Sequence, residues 1–306
     1  MKIKVSIFWF RRDLRLKDNT ALSNALKSGF PVVPIFIFDE DILNDLEVDD
    51  ARVNFIYDSL KKVNSLLNNY DSSLRVFKSS VTQVWEDILS EYDIQDVYVN
   101  EDYEPYGLER DRLVSSMLNQ NKVKFNSFID HVIFKPGEIV KENNLPYTVF
   151  TPFKNKWLKH FTANPICILP KANFTNLAKI NFDFPTLSDL NFLPSKIKVQ
   201  KINLASIDDY SVMRDFPALN GTSYLGPHLR FGTVSIRSII NDLKSSNSIF
   251  LSELIWREFF IQILLFYPNV ITDNFKPKYN GIIWLNNKDE FKLWCKGETG
   301  YPIVDA

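Results

Sequence analysis

The stretch VSIFWFRRDLRLKDN, residues 5–19, passes in one step from an unbroken apolar run to a dense set of charges. A strand that is apolar without alternation must be covered on both faces, which places Val5–Phe10 at the centre of a parallel sheet. A second run of the same kind, Val32 to Phe38, supplies its neighbour. Leu74 to Phe77, Asp96 to Val99 and Val123 to Phe128 read as three further strands. Between them apolar residues recur at helical spacing: Ala21, Leu22 and Ala25 behind an Asp18-Asn19 cap, then Val53, Ile56, Leu60, Val63 and Leu67, then Val84 and Ile88, then Leu108, Leu113 and Met117. This order predicts an α/β unit over residues 1–130, a doubly wound, Rossmann-like parallel sheet. Any ligand is then expected at the C-terminal strand ends, which carry Phe10-Arg11-Arg12, Asp39-Glu40 and Asn100-Glu101. No glycine-rich turn follows the first strand, so an NAD-type fingerprint is absent.

Residues 131–205 scatter prolines through polar, irregular sequence and read as a long connector wrapped over the surface. From 206 to 306 the pattern is helical, with Ile236 to Leu243 and Phe250 to Phe266 as the clearest segments. The second is apolar almost all round and is expected to lie in a core, so that Glu253, Arg257 and Glu258 within it need partners or a ligand.

Lys plus Arg number 36 against 37 Asp plus Glu, a net charge of −1 that gives no global attraction to a polyanion. A nucleic-acid site must therefore be a local patch. Two cysteines and three histidines without metal-ligand spacing indicate neither a disulfide framework nor a zinc site, and a reducing cytoplasm is expected. No segment has the length and apolarity of a membrane helix or of a signal peptide. A soluble monomer is expected, with no membrane partner and no metal.

Three constellations could carry chemistry. The Arg11, Arg12, Asp13, Arg15, Lys17 and Asp18 cluster is either a phosphate platform or an ion-pair network that seats a loop. Thr222 and Ser223 precede an apolar helical pattern, where they serve as an ordinary N-cap or as hydroxyls and amides that hold a phosphate. Glu253, Trp256 and Arg257 fall at i, i+3 and i+4 on one helix face. They form either a clamp for a planar anionic ligand or an intrahelical pair beside a core tryptophan.

The same segments carry a resemblance. WFRRDLRLKDNTAL at 9–22, NEDYEPY at 100–106, YTVFTPF at 147–153, RDFPALNGTSYLGPHLRFGTVS at 214–235, ELIWREFF at 253–260 and GETGYPIVDA at 297–306 resemble, in order, the DNA photolyase/cryptochrome family. The wording is most similar to that of bacterial cyclobutane pyrimidine dimer (deoxyribodipyrimidine) photolyases. The resemblance implies an N-terminal α/β photolyase domain, the connector, and an all-α FAD-binding domain. It implies a carbon–carbon lyase that binds damaged DNA, flips the pyrimidine dimer out of the stack and splits it by light-driven electron transfer from reduced FAD. By position it assigns Tyr210, Thr222, Ser223, Leu225, Gly226 and Arg257 to the flavin, and Glu253 and Trp256 to the dimer as the catalytic pair. It likewise assigns Arg214 to DNA, and Trp284, ten residues before Trp294, to the outer station of a flavin-reducing tryptophan chain. The family's sequence runs on beyond GYPIVDA, so a C-terminally truncated flavin domain that holds FAD weakly is expected. Tyr106, Gly107 and Thr272 stand where folate-using relatives carry Asn, Glu and Lys, which argues against a folate antenna and leaves a flavin-type or deazaflavin antenna, or none. A cryptochrome-type blue-light photoreceptor and an inactive remnant are the alternative functional classes.

Overall fold

The computed structural model describes residues 2–305. They fall into two compact units, Met1–Phe266 and Tyr267–Ala306. The first begins with five parallel strands, β1 (Lys4–Phe10), β2 (Val32–Asp39), β3 (Arg75–Ser79), β4 (Asp93–Asn100) and β5 (Lys124–Phe128), in the order β3-β2-β1-β4-β5. The order reverses between β1 and β4, as a doubly wound sheet requires. Every residue of β2 is buried and so is all of β1 after Lys4, whereas the edge strands β3 and β5 contain no fully buried residue. The continuous apolar runs of residues 5–10 and 32–38 are thus the sequence mark of the two strands that meet helices on both faces.

Five helices accompany the sheet: α1 (Thr20–Ala25), α2 (Glu40–Leu43), α3 (Ala51–Asn68), α4 (Val81–Glu91) and α5 (Pro105–Gln120). On one face α1 and α3 bury Leu22, Leu60, Val63 and Leu67 against Phe8, Phe10 and Phe36. On the other, α4 and α5 pack Trp85, Ile88 and Leu118 on Ile7, Trp9 and Val97, with Trp9 and Trp85 edge to face at 5.5 Å. Burial of each such side chain stabilises by about 1.5–3 kcal/mol.

Within the stretch 131–205, Phe174, Leu177, Leu190 and Phe192 enter the first core and the Ala178 amide donates to the Val32 carbonyl at 2.8 Å. The stretch also contains a helix that the sequence reading folded into the connector, α6 (Phe150–Ala163). Phe153 and Trp157 of α6 belong to a third core, together with Leu225, Leu229, Ile255 and Phe259. That core is built with α7 (Tyr210–Met213), α8 (Leu225–Arg230), α9 (Ile236–Asn241) and α10 (Ser248–Phe266). Contrary to expectation α10 is not enclosed all round: Phe250, Leu254, Ile255 and Phe259 are buried, but Phe260 is 60% exposed. The second unit holds α11 (Lys288–Lys296) and α12 (Pro302–Asp305).

Between the C-terminal ends of β1 and β4 the charged cluster closes on itself. Arg11 pairs with Asp111 and donates to the Asn100 carbonyl. Asn100 donates to Asp13 at 2.5 Å and to Asn19 Oδ1 at 2.9 Å, while Asn19 caps α1 by accepting from the Leu22 amide. Burial raises the Asp13 pKa, opposed by the Arg11 amide. Arg15 donates to the buried Asp130 at 2.6 Å, and Arg237 of α9 reaches both Asp130 (2.8 Å) and Asp18 (3.0 Å). Ser235 donates to Asp18 as well, and Arg12 shares Glu104 with Arg230 of α8. The ion-pair alternative is therefore the one that folds: the cluster joins the sheet to α8 and α9, and its arginines are occupied by carboxylates and carbonyls.

Two outcomes check this joint. Gly232 sits at φ +62 where an added Cβ would overlap the Arg12 carbonyl, so Gly232→Ala should destabilise by more than about 1 kcal/mol in thermal unfolding. Burial alone would raise the Asp130 pKa, yet Arg15 and Arg237 together hold it well below the usual carboxylate range. The stability it contributes is then fully present above the unfolded-state value near pH 4 and is lost as pH falls below it. Asp130→Asn should cost about 3–5 kcal/mol at pH 7 and flatten the acid limb of a urea-unfolding pH series.

Candidate functional site

Helix α10 carries its charges at three depths. Glu258 is innermost: its carboxylate accepts from the amides of Ile133 (2.9 Å) and Phe134 (3.0 Å) and from Trp157 Nε1 (3.0 Å). Burial raises its pKa against the pull of those donors. Arg257 also turns inward and donates to the carbonyls of His131 at 2.6 Å and Leu229 at 3.4 Å. The Leu229 carbonyl lies in the last turn of α8, where helix geometry leaves acceptors without intrahelical partners and favours a cation. Beside it, burial pulls the His131 imidazole down to about 3, so this ring is neutral at physiological pH.

Glu253, one turn nearer the start of α10, stays at the surface and pairs with Arg214, which follows α7. This bond is the first cause of the raised Arg214 pKa. The Arg214 guanidinium also lies 5.5 Å from the centroid of the Tyr210 ring, and Tyr210 meets Phe250 edge to face at 5.0 Å. Trp256 lies flat on Phe150, with centroids 3.6 Å apart and planes at 8°, and also stacks with Phe260 at 5.4 Å. Lys154 completes this surface through a 3.4 Å hydrogen bond to Ser252 and a position 5.9 Å from the Phe150 ring.

The structure thus brings Tyr210, Arg214 and Glu253 together and sets Trp256 in an aromatic stack one turn along. It does not form the expected convergence of Glu253, Trp256 and Arg257, because two backbone carbonyls hold the Arg257 guanidinium inside. Phe150 and Lys154 were missed as site residues, being read as connector. The signal was available in Phe150, Phe153, Trp157 and Phe161, a helical stripe behind the YTVFTPF motif.

The Thr222–Gly226 turn also differs from expectation. The cap of α8 is Tyr224, in the left-handed region at φ 54, and not Thr222 or Ser223. Ser223 accepts from the Leu225 amide with its hydroxyl at 3.4 Å and from the Asn203 amide with its carbonyl at 3.0 Å. At Gly226 a Cβ would point into open space, so this start of α8 can be approached closely from outside. Hydroxyls and backbone amides on an approachable turn fit the phosphate end of a dinucleotide in donor chemistry. Trp284 lies in the second unit and is 66% exposed, and in the same unit Trp294 stacks on Phe291 at 5.7 Å.

Among the described residues no group of His, Cys, Asp and Glu could hold a metal ion, and no helix is long and apolar enough to cross a membrane. Cys167 and Cys295 are both free thiols.

Comparison with known proteins shows which family the chain resembles. The sequence profile described as DNA photolyase matches residues 6–172, and that of the FAD binding domain of DNA photolyase matches residues 250–306. The deoxyribodipyrimidine photo-lyase of Vibrio cholerae is 30% identical over 98% of the chain and 70% of its own length. The crystal structure of a class III photolyase from Agrobacterium tumefaciens superposes with a TM-score of 0.82 at 27% identity, over 100% of this chain and 68% of that one. An archaeal photolyase from Sulfolobus tokodaii, solved with two FAD molecules, gives 0.78 at 27% identity over 99% of this chain and 69% of that one.

Glu258 supplies the check on this architecture. Glu258→Ala leaves two amides and an indole N–H buried without acceptors and should destabilise by at least about 3 kcal/mol. Glu258→Gln, which keeps an acceptor, should cost clearly less in the same denaturant titration.

Proposed function

We propose, since this chain belongs to the photolyase/cryptochrome family, that it acts in the light-driven repair of cyclobutane pyrimidine dimers in DNA. The observation that carries the reading is the surface shared by α6, α7 and α10. A carboxylate, a guanidinium and an aromatic stack stand there within one turn of helix, in a chain whose net charge of −1 offers DNA no general attraction. A base taken out of the duplex needs an apolar plane to replace the stack it leaves, and polar groups to read its edge. Trp256, held flat by Phe150, is proposed as the plane, Glu253 as the hydrogen-bond acceptor for the dimer, and Arg214 as a DNA backbone contact.

The FAD-holding residues are proposed as Thr222, Ser223, Leu225 and Gly226 at the phosphates, with Tyr210 beside the cofactor. Arg257 serves that site by fixing the end of α8 through the Leu229 carbonyl. When bound, reduced and excited by blue or near-UV light, FAD supplies the electron that opens the cyclobutane ring. Trp284, on the surface of its unit, is proposed as the outer station for photoreduction of oxidised flavin. For the antenna we favour a chromophore other than folate. Tyr106 is tied to Asp39, and a Cβ at Gly107 would stand 2.5 Å from the Asp102 side chain, so a Glu there would require Asp102 to move.

The decisive measurement is repair of a thymine-dimer oligonucleotide under blue light by the protein kept in an excess of reduced FAD large enough to saturate a weak site. Repair in light but not in the dark is expected, and equal conversion in both, or none, overturns the reading. Trp256→Ala should weaken binding to dimer-containing DNA by about 1–3 kcal/mol, the worth of a base–aromatic stack. Its affinity for undamaged DNA should stay within twofold of the parent protein's.

A further inference from the structure

On the sheet face opposite α4 and α5, a cleft of about 650 Å³ opens between α3, residues 14–18, residues 169–174 and the end of α8. None of residues 222–226 lines it, so it is separate from the turn assigned to the flavin phosphates. Its walls are aromatic. Phe55 of α3 meets the His228 ring edge to face at 5.2 Å, and Tyr70 packs on Phe174 at 4.8 Å. Leu16, Val63 and Leu66 add aliphatic surface. A volume of this size lies in the range of small-molecule sites, which are mostly apolar with a few placed polar groups.

The charges of the cleft are unequal. Its single lining carboxylate is Asp18, which is fully engaged by Arg237, Ser235 and the Leu169 amide. Both His228 nitrogens are engaged as well, with Thr233 Oγ1 at 2.9 Å and the Gln200 carbonyl at 3.0 Å. Lys17, Lys62 and Lys171 remain at the rim, exposed, and none of them pairs with a carboxylate among the described residues. Aromatic walls under three unneutralised ammonium groups select one ligand chemistry: a flat ring system for the walls and an anionic group at the mouth.

We propose that this cleft binds a planar aromatic anion of nucleotide size. The site draws on both halves of the first unit, Phe55 and Tyr70 from the sheet side and His228 and Thr233 from α8 and the turn after it. Occupancy would brace the same joint that the Asp18 and Asp130 network holds.

The probe is 1-anilinonaphthalene-8-sulfonate, compared with its uncharged ring analogue N-phenyl-1-naphthylamine, titrated by fluorescence onto the whole chain. Lys62→Glu and Lys171→Glu, both on exposed positions, should each weaken the sulfonate about tenfold, the loss of one charge-assisted contact. The uncharged analogue should change less than twofold. Ser59→Trp, which fills the cleft, should reduce binding of both. Sulfonate affinities within twofold of the parent chain in both lysine variants overturn the proposal, as does equal weakening of the charged and uncharged probes.

Discussion

The arrangement of this molecule depends on one buried carboxylate. Asp130, completely enclosed at the end of the sheet, receives Arg15 from the loop after β1 and Arg237 from α9. Desolvation of such a group costs several kcal/mol, and a single partner rarely offsets it. Two guanidinium groups do, and they come from segments more than a hundred residues apart in sequence. The position of α9 is thereby tied to the position of β1. Asp18, in the left-handed region at φ 50, is held by Arg237 and Ser235 and carries the same tie to the start of α9. A joint of this kind adds little net stability compared with an apolar one, but it fixes geometry, because any other arrangement leaves a buried charge alone.

Geometry at that joint is what the candidate site requires. Helix α8 is only six residues long and cannot hold its own orientation by its apolar face. Its last turn is braced by Arg257 on the Leu229 carbonyl and by Arg230 on Glu104, and the loop after it by the Leu14 amide on the Phe231 carbonyl. The turn before α8, with Thr222 and Ser223, and Gly226 at the start of the helix are therefore positioned from its far end. On α10 depth separates roles in a similar way. Glu258, held by two amides and the Trp157 indole, and Arg257, held by two carbonyls, act as struts, while Glu253 and Trp256 keep their chemistry toward the surface.

The sheet was legible because burial on both faces leaves a one-dimensional mark. Unbroken apolar runs located β1 and β2 to within one residue, whereas β4 begins at Asp93, three residues before the apolar signal, because its one early buried residue, Ile94, stands among the partly buried polar residues Asp93, Gln95 and Asp96. Helix α6 was not legible as a separate element because Pro146 and Pro152 suggested irregular chain, although proline in the first turn of a helix costs nothing. The charged cluster could be seen but not interpreted, since its partners Asn100, Asp111, Asp130 and Arg237 lie 87 to 219 residues away. The helical spacing of Glu253, Trp256 and Arg257 was correct. Their convergence was not, since spacing carries no information about free carbonyls on neighbouring elements.

The Arg214–Glu253 pair gives the site a conditional character. An arginine already bonded to a carboxylate cannot take a phosphate without giving up that bond, so on the proposed reading a backbone contact and the release of Glu253 are one event. Its two side chains are 34% and 36% exposed, at a surface where an ion pair is worth at most about 1 kcal/mol, and a DNA phosphate can readily replace the carboxylate. Glu253 would then be free to accept a hydrogen bond only when DNA is seated and an extruded base offers a donor beside Trp256. Undamaged duplex can satisfy Arg214 but presents no such donor, which leaves a desolvated carboxylate without a partner. Discrimination would thus arise from the penalty on the wrong substrate as much as from attraction to the right one. The near-neutral charge of the chain supports this division, because a strongly basic surface would bind both kinds of DNA before the pair could distinguish them.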